Sequence, residues 1–373
     1  MTLTAFAALF GAGLTVKYCD ITLTTGDNDG SSWANAFQTA GAVIAAESAG
    51  WCVAFKSRSI ATTTSWAAPT VTGTAAEPIV WVAVDDSDNV VDSSNWEGCG
   101  GSVGVVVDMT GSGANQDGWF VNGTTIINRY LYGFAVLNAT RYGIVSTGNR
   151  TKYRFTRSSG SGNTGLYQGG QYGDIDNFIC DGDTFGIFVS VSAGAVIKNG
   201  LIKGCVNGLS GAICMVDSVL FDGNTNAKIT SNANPAYFKN CGFRNNAYSI
   251  VMGTSFGTRV SLRDCIFSGG TDGINLGATT QDADLLNVKY YNVTNFINGT
   301  GAANVLNCGG VELLSEDPFV DSANGNYMSK STIAALKNYP DRINASTYQY
   351  AQAGLMQQVV GAQLGAFETG AWR

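Results

Sequence analysis

Four aspartates fall within ten residues, Asp174, Asp176, Asp181 and Asp183, and a further pair, Asp85–Asp86, stands upstream. Two carboxylates flanking a glycosidic bond can serve as acid and as base or nucleophile, so sugar cleavage is the first chemistry this spacing raises. Asp is also common in turns, where its carboxylate bonds back to the backbone, and these six lie in or beside turn-forming runs. Basic partners stand in Arg150-Thr-Lys152, Arg244 and Arg263. Such groups either withdraw a proton beside a carboxylate or remain solvated surface charge. The runs GDNDG (26–30) and DGD (181–183) are rich enough in oxygen for calcium, yet neither has the spacing of a twelve-residue calcium loop. No resident cofactor is expected, calcium being the one ion worth weighing.

The chain has no histidine, which removes histidine-based triads, histidine general bases and nearly all catalytic zinc sites. Its nine cysteines, at 19, 52, 99, 180, 205, 214, 241, 265 and 308, form no CxxC pair. They read as buried free thiols acting as small hydrophobes. A net charge of −7 speaks against nucleic acid or an anionic membrane as partner. The composition is 45% hydrophobic and only 13% charged, with 48 glycines and 5 prolines, as suits a β-rich chain with many turns. Tryptophan is uneven: Trp33, Trp51, Trp66, Trp81, Trp96 and Trp119 lie in the first third and Trp372 alone at the end. Wide rings there either fill irregular first coils or offer platforms for sugars or a protein partner.

The elements that must position these residues are betrayed by a repeat. Segments such as DNFICDG, KNGLIKG, VDSVLFDG, KNCGFRN and RDCIFSG return between residues 174 and 311. Anchored on Asn177, Asn199, Asp217, Asn240, Asp264, Asn287 and Asn307, the steps are 22, 18, 23, 24, 23 and 20. One and three residues past each anchor the chain is largely apolar or small; four past, it is mixed; then a Gly or Asn supplies a bend. Alternating faces and a short period predict parallel strands stacked coil on coil, with Cys241 and Cys265 neighbours in one inward column. The fold expected is all-β: a single right-handed parallel β-helix of about 22-residue coils with a short N-terminal capping helix.

The stretch GDNDGSSWANAF (26–37) places Ser32 as an N-cap before a helix starting near Trp33, which would plug the first coil. Four units follow: an apolar arm (1–16), an N-terminal cap (17–60), the β-helix (61–316) and a C-terminal closing segment (317–373). The arm, MTLTAFAALFGAGLTV, lacks the positive n-region of a signal peptide and is too short and too punctuated to span a bilayer. An apolar arm left in water is an aggregation liability, so Phe6, Leu9, Phe10 and Leu14 are expected to be buried in an assembly interface. The alternative is that the arm is the first strand of its own solenoid.

GDNDGSSWANAF, EDPFVDSANGNYMSKST (316–332) and GAQLGAFE (361–368) together resemble the two ends of right-handed β-helix proteins of the pectate-lyase-like superfamily. The resemblance runs from about Lys17 to near the end of the chain and implies fold far more than chemistry, since that superfamily holds polysaccharide lyases, glycoside hydrolases, bacterial surface proteins and virion spikes. Its pectin hydrolases join their carboxylates to a Gly-His-Gly and an Arg-x-Lys. Here the histidine is absent, and Arg150-Thr-Lys152 precedes the aspartates instead of following them. No catalytic residues are therefore assigned. The reading that follows by elimination is a non-enzymatic virion structural protein, a phage-type capsid decoration or spike. It would be a trimer in the virion, attached to capsid or other virion proteins, with a surface glycan as a further partner. A polysaccharide lyase or glycoside hydrolase is the alternative, and a secreted bacterial surface or adhesion protein the second.

Overall fold

The computed structural model describes residues 1–329 except 11–12, 67–68, 70, 97–100, 122–126, 191–194, 212–213, 231–235, 253–258, 279–280, 301, 303–304 and 322–325. Each regular coil turns on two residues held at positive φ, five positions apart. The first corner is Gly133, Phe155, Asn177, Asn199, Ser218, Asn240, Asp264 and Asn287 in successive coils; the second is Asn138, Gly160, Gly182, Gly204, Gly223, Asn245, Gly269 and Asn292. Left-handed backbone is open to Gly and tolerated by Asn and Asp, which explains why those residues mark the repeat. The asparagines also bond between coils: Asn199, Asn240 and Asn287 donate from Nδ2 to Asp176, Asp217 and Asp264 one coil back, at 2.8, 2.9 and 2.7 Å.

Two anchors read from the sequence are displaced. In the third repeat the corner is Ser218, not Asp217; in the last, Gly310 stands opposite Asn287, and Asn307 pairs with Leu285 on a strand. The inward columns are otherwise as the alternation requires. Cys241 and Cys265 face each other in adjacent coils, both fully buried. Burial pushes the Cys241 thiol well above its ordinary range, with Cys265 adding to the rise. Phe221, Phe243 and Phe267 stack with centroids 5.0 and 4.6 Å apart, a continuous aromatic spine.

The strands assemble into a 19-stranded sheet folded over two walls, a 9-stranded sheet forming another, and an antiparallel pair, Phe319–Asp321 with Asn326–Ser329. Pairing in the first two sheets is parallel throughout the named strands, and the molecule is a right-handed parallel β-helix of ~22-residue coils. It starts earlier than the expected boundary at 61. Thr15–Cys19 already pairs with Trp51–Lys56, which pairs with Ile79–Val84, so these segments are the first rungs of the same ladder. The C-terminal motif at 361–368, Trp372, and Cys99 lie outside the described residues.

The capping helix also starts later than expected. Phe37 bridges to Cys19 and exchanges backbone hydrogen bonds with Tyr18 and Asp20, which holds 33–37 in the edge of the first coil. Ser32 Oγ accepts from Asn35 N at 3.3 Å inside a turn. The helix α2 is Ala40–Ala46, capped by Thr39, whose Oγ1 accepts from Ala42 N at 3.0 Å. A second helix, α1 (Leu3–Ala8), forms within the apolar arm, with Thr2 as its N-cap. Its Phe6 is buried with its ring 5.2 Å from Tyr132, and Phe10 lies 5.8 Å from Tyr130. Phe10 and Leu14 are half-buried against the core, and Leu9 is 37% exposed. Phe6 is therefore covered by its own chain and not held out for a neighbour.

Candidate functional site

The four clustered aspartates go to three different places. Asp174 and Asp176 sit on the outer face of the strand Gly173–Asp181, in register with Lys152 and Arg154 one coil before and with Val196 and Lys198 one coil after. Arg154 reaches Asp176 at 2.8 Å and Asp174 at 3.4 Å; Lys198 lies 3.6 Å from Asp174 and 3.9 Å from Asp176. Asn177 and Asn199 donate to the other oxygen of Asp176 at 3.0 and 2.8 Å. Burial raises the Asp176 carboxyl above the usual carboxylate range, while Arg154 and Lys198 pull it back. Both Asp176 oxygens are thus committed to the protein itself.

Asp181 faces outward at the corner and pairs with Lys203 at 3.0 Å. Asp183, two residues on, points inside the solenoid and accepts from Ser161 N at 2.7 Å and Ser158 Oγ at 3.2 Å. The two carboxylates of DGD therefore lie on opposite sides of the wall and cannot share a cation. In GDNDG, Asn28 accepts from Gln38 N and Asp29 from Ser31 N, both at 2.8 Å, as turn residues do. Among the described residues no group of three or more His, Cys, Asp or Glu side chains converges on a metal position. Asp85 closes a turn on Ser87 and Asn89, and Asp86 pairs with Arg58. Of the remaining candidates, Arg150 is an exposed corner residue, Lys152 lies over the Tyr130 ring, Arg244 pairs with Asp222 and Arg263 is exposed.

A different surface gathers groups suited to a ligand. On the outer face of the nine-stranded sheet, Tyr142, Tyr167 and Phe188 form a run across three coils, at 5.2 and 5.4 Å between centroids, the last pair parallel within 5°. Phe185 closes edge-on to Phe188 at 6.0 Å. All four are half-buried, leaving part of each ring open. The wall can present rings three residues apart because the next column inward is glycine: a Cβ at Gly165 would sit 2.4 Å from Asp183 Oδ2 and 2.8 Å from the Gly186 carbonyl.

Further along the same columns the wall becomes polar. Asn226 donates to Asn207 at 2.9 Å. Two coils on, Asp272 accepts from the amides of Asn275, Asn295 and Asn298 at 3.0, 3.0 and 2.9 Å. Burial pulls the Asp272 carboxyl up, but the three amides outweigh it and hold the group below the usual range, hence ionised. Each amide, fixed at one donor, keeps a second N–H for a partner, and Asn275 and Asn295 keep their carbonyls too, whereas the Asn298 carbonyl accepts from Gly299 N at 2.7 Å. Rings followed by oriented amides form a surface that stacks on apolar ring faces and bonds hydroxyls.

Sequence reasoning passed over these residues because it weighed the tryptophans. Trp81, Trp96 and Trp119 are buried at 1%, 1% and 3% exposure, so those rings fill the first coils. The signal that could have found the wall is register: Tyr167 and Phe188 recur one coil apart outside the anchored segments.

No protein-family model matches the sequence, and no curated protein matches it. Among solved structures, pectate lyase Pel9A is similar at 15% identity and a TM-score of 0.58, over 86% of this chain and 87% of that one. The fold is the pectate-lyase-like β-helix. The A-module of mannuronan C-5 epimerase AlgE6 of Azotobacter vinelandii is similar at 12% identity and a TM-score of 0.48, over 80% of this chain and 100% of that one. A rhamnogalacturonan lyase follows at 12% identity and a TM-score of 0.42, over 82% and 90%. Its structural neighbours are mostly polysaccharide lyases and glycoside hydrolases.

Proposed function

We propose that the protein engages an extended polysaccharide along the outer face of its nine-stranded sheet. The observation that carries this reading is that two neighbouring columns of one sheet run from rings to amides: Tyr142 and Phe185 lead to Asp272 and Asn295, and Tyr167 and Phe188 lead to Asn275 and Asn298. The test is retention of the full chain on a panel of immobilised polysaccharides. Retention that Tyr167→Ala and Phe188→Ala weaken without lowering the melting temperature supports the reading. An empty panel counts against it.

Cleavage is a second reading, favoured by one observation: Asp176, raised by burial, stands on the same strand face as Asp174. Two carboxyl groups on one face are the side chains that glycoside hydrolysis uses. New reducing ends that vanish in Asp176→Asn and Asp174→Asn support it. Products that survive both changes place cleavage elsewhere.

The particle-structural role is the rival proposal, with its trimer and capsid partners. Its expected assembly interface was the apolar arm, and Phe6 of that arm has cover within the chain. A trimer in gel filtration, together with an empty polysaccharide panel, favours that rival.

A further inference from the structure

We infer that the polymer recognised by the nine-stranded wall is an uncharged glycan and not a polyuronate; the inference rests on the glycan-binding reading above and narrows its substrate class. Charge makes the first discrimination. Among the described residues, Asp272 is the ionised group at the centre of the polar stretch, and the strands of this wall carry no exposed cationic side chain to answer a uronate. Lys228 is in register with Leu209 and Ile250 but is 0% exposed, with its Nζ donating to the Gly211 carbonyl at 3.3 Å, so its charge is turned inward. Arg141 at the rim is held by Asp117 through Nε at 2.7 Å and lies over the Tyr142 ring. The cations Arg154, Lys152 and Lys198 stand on the other sheet. A polyanion would meet a like charge at Asp272 and a chain of net charge −7.

The polar groups make the same discrimination by hydrogen bonding. A carboxylate only accepts, whereas a hydroxyl both donates and accepts. Asn275, Asn295 and Asn298 each give one N–H to Asp272 and keep a second N–H; Asn275 and Asn295 keep the carbonyl of the same amide as well, a pairing that suits vicinal hydroxyls, while the Asn298 carbonyl accepts from Gly299 N at 2.7 Å. Length completes the case. Phe188 and Asp272 are separated by four coil steps along the sheet, with the Asn207–Asn226 pair between them. At ~4.8 Å per step that is about 19 Å, more than a mono- or disaccharide covers. The rings would stack on one part of a chain while the amides hold another.

The experiment is affinity gel electrophoresis of the full chain in soluble mixed-linkage β-glucan, glucomannan and dextran, and separately in polygalacturonate and alginate, at low salt and at about 0.5 M NaCl. The expected result is retardation by at least one neutral polymer, unchanged by salt and weakened roughly tenfold by Phe188→Ala and by Asn298→Ala. Tyr167→Ala provides a second ring variant should Phe188→Ala fail to fold. Retardation by a polyuronate, fading with salt, overturns the neutral class while leaving glycan binding in place. No retardation in any of the five polymers overturns the glycan reading itself, and this inference with it.

Discussion

Arg129 and Glu47, 82 positions apart, meet as a two-pronged ion pair sealed inside the N-terminal end of the solenoid. Nη1 lies 2.9 Å from Oε1 and Nη2 2.7 Å from Oε2, with both side chains nearly inaccessible. Glu47 is the C-cap of α2, so this pair fastens the capping helix to the strand Arg129–Tyr132. Arg129 also donates to the Val71 carbonyl at 2.9 Å. Removing one member of such a pair leaves the other charged and buried. Arg129→Met should therefore cost ~3–5 kcal/mol in urea unfolding, and adding Glu47→Gln should restore a large part of it. Equal stability of the single and double variants would contradict the pair's role in holding the cap.

The arm makes the next prediction. Phe6 is 3% exposed against Tyr132, whereas Leu9 is 37% exposed. Phe6→Ala should cost about 3–5 kcal/mol, and Leu9→Ser should stay within ~0.5 kcal/mol. Deleting residues 2–13 should accordingly lower the melting temperature of the monomer. That reverses the outcome expected of a free attachment arm, which would leave the monomer unchanged and abolish assembly.

The coil period was legible because left-handed corners admit so few residue types. Asn177, Asn199, Asn240, Asp264 and Asn287 mark the first corner directly. The same rule misled where the corner residue was atypical. Ser218 follows an aspartate that looks like the better anchor, and Phe155 takes φ 52° with its ring against Trp96, a conformation no local propensity suggests. The aspartate cluster was visible as a cluster, but the left-handed corner at Gly182 sends two of its members to different sides of one wall: Asp181 outside, Asp183 inside. The aromatic wall was illegible for another reason. Its rings come together only through the register between coils, and each alone is an ordinary Tyr or Phe in a β-strand.

Asp183 should make the fold sensitive to pH. It belongs to an interior column with Asn224 and Asn246, and its Oδ2 has no hydrogen-bond partner. Burial pushes its carboxyl up to about 7, against the pull of hydrogen bonds from Ser161 and Ser158. The folded chain then holds a proton that the unfolded chain, with an ordinary pKa of ~3.9, has already released. Stability should be flat below pH ~4, fall by roughly 1.4 kcal/mol per unit up to about pH 7, and level off above that. Asp183→Asn should remove this slope and raise stability at neutral pH, since Asn224 and Asn246 in the same column donate to carbonyls one coil back at 3.0 and 3.1 Å. Urea melts of both proteins at several pH values check it; parallel slopes would exclude Asp183 as the source.

The central claim is that a polysaccharide lies on the nine-stranded wall, and hydrogen–deuterium exchange with and without a retained polymer tests it most directly. Exchange should slow over Thr164–Gln168, Phe185–Val189 and Asn295–Asn298 on adding the polymer, with Gly173–Asp181 and Ala195–Lys203 unchanged. Protection confined to the strands bearing Asp176 and Lys198, with the ring-bearing strands unaltered, would contradict it and move the ligand to the charged face.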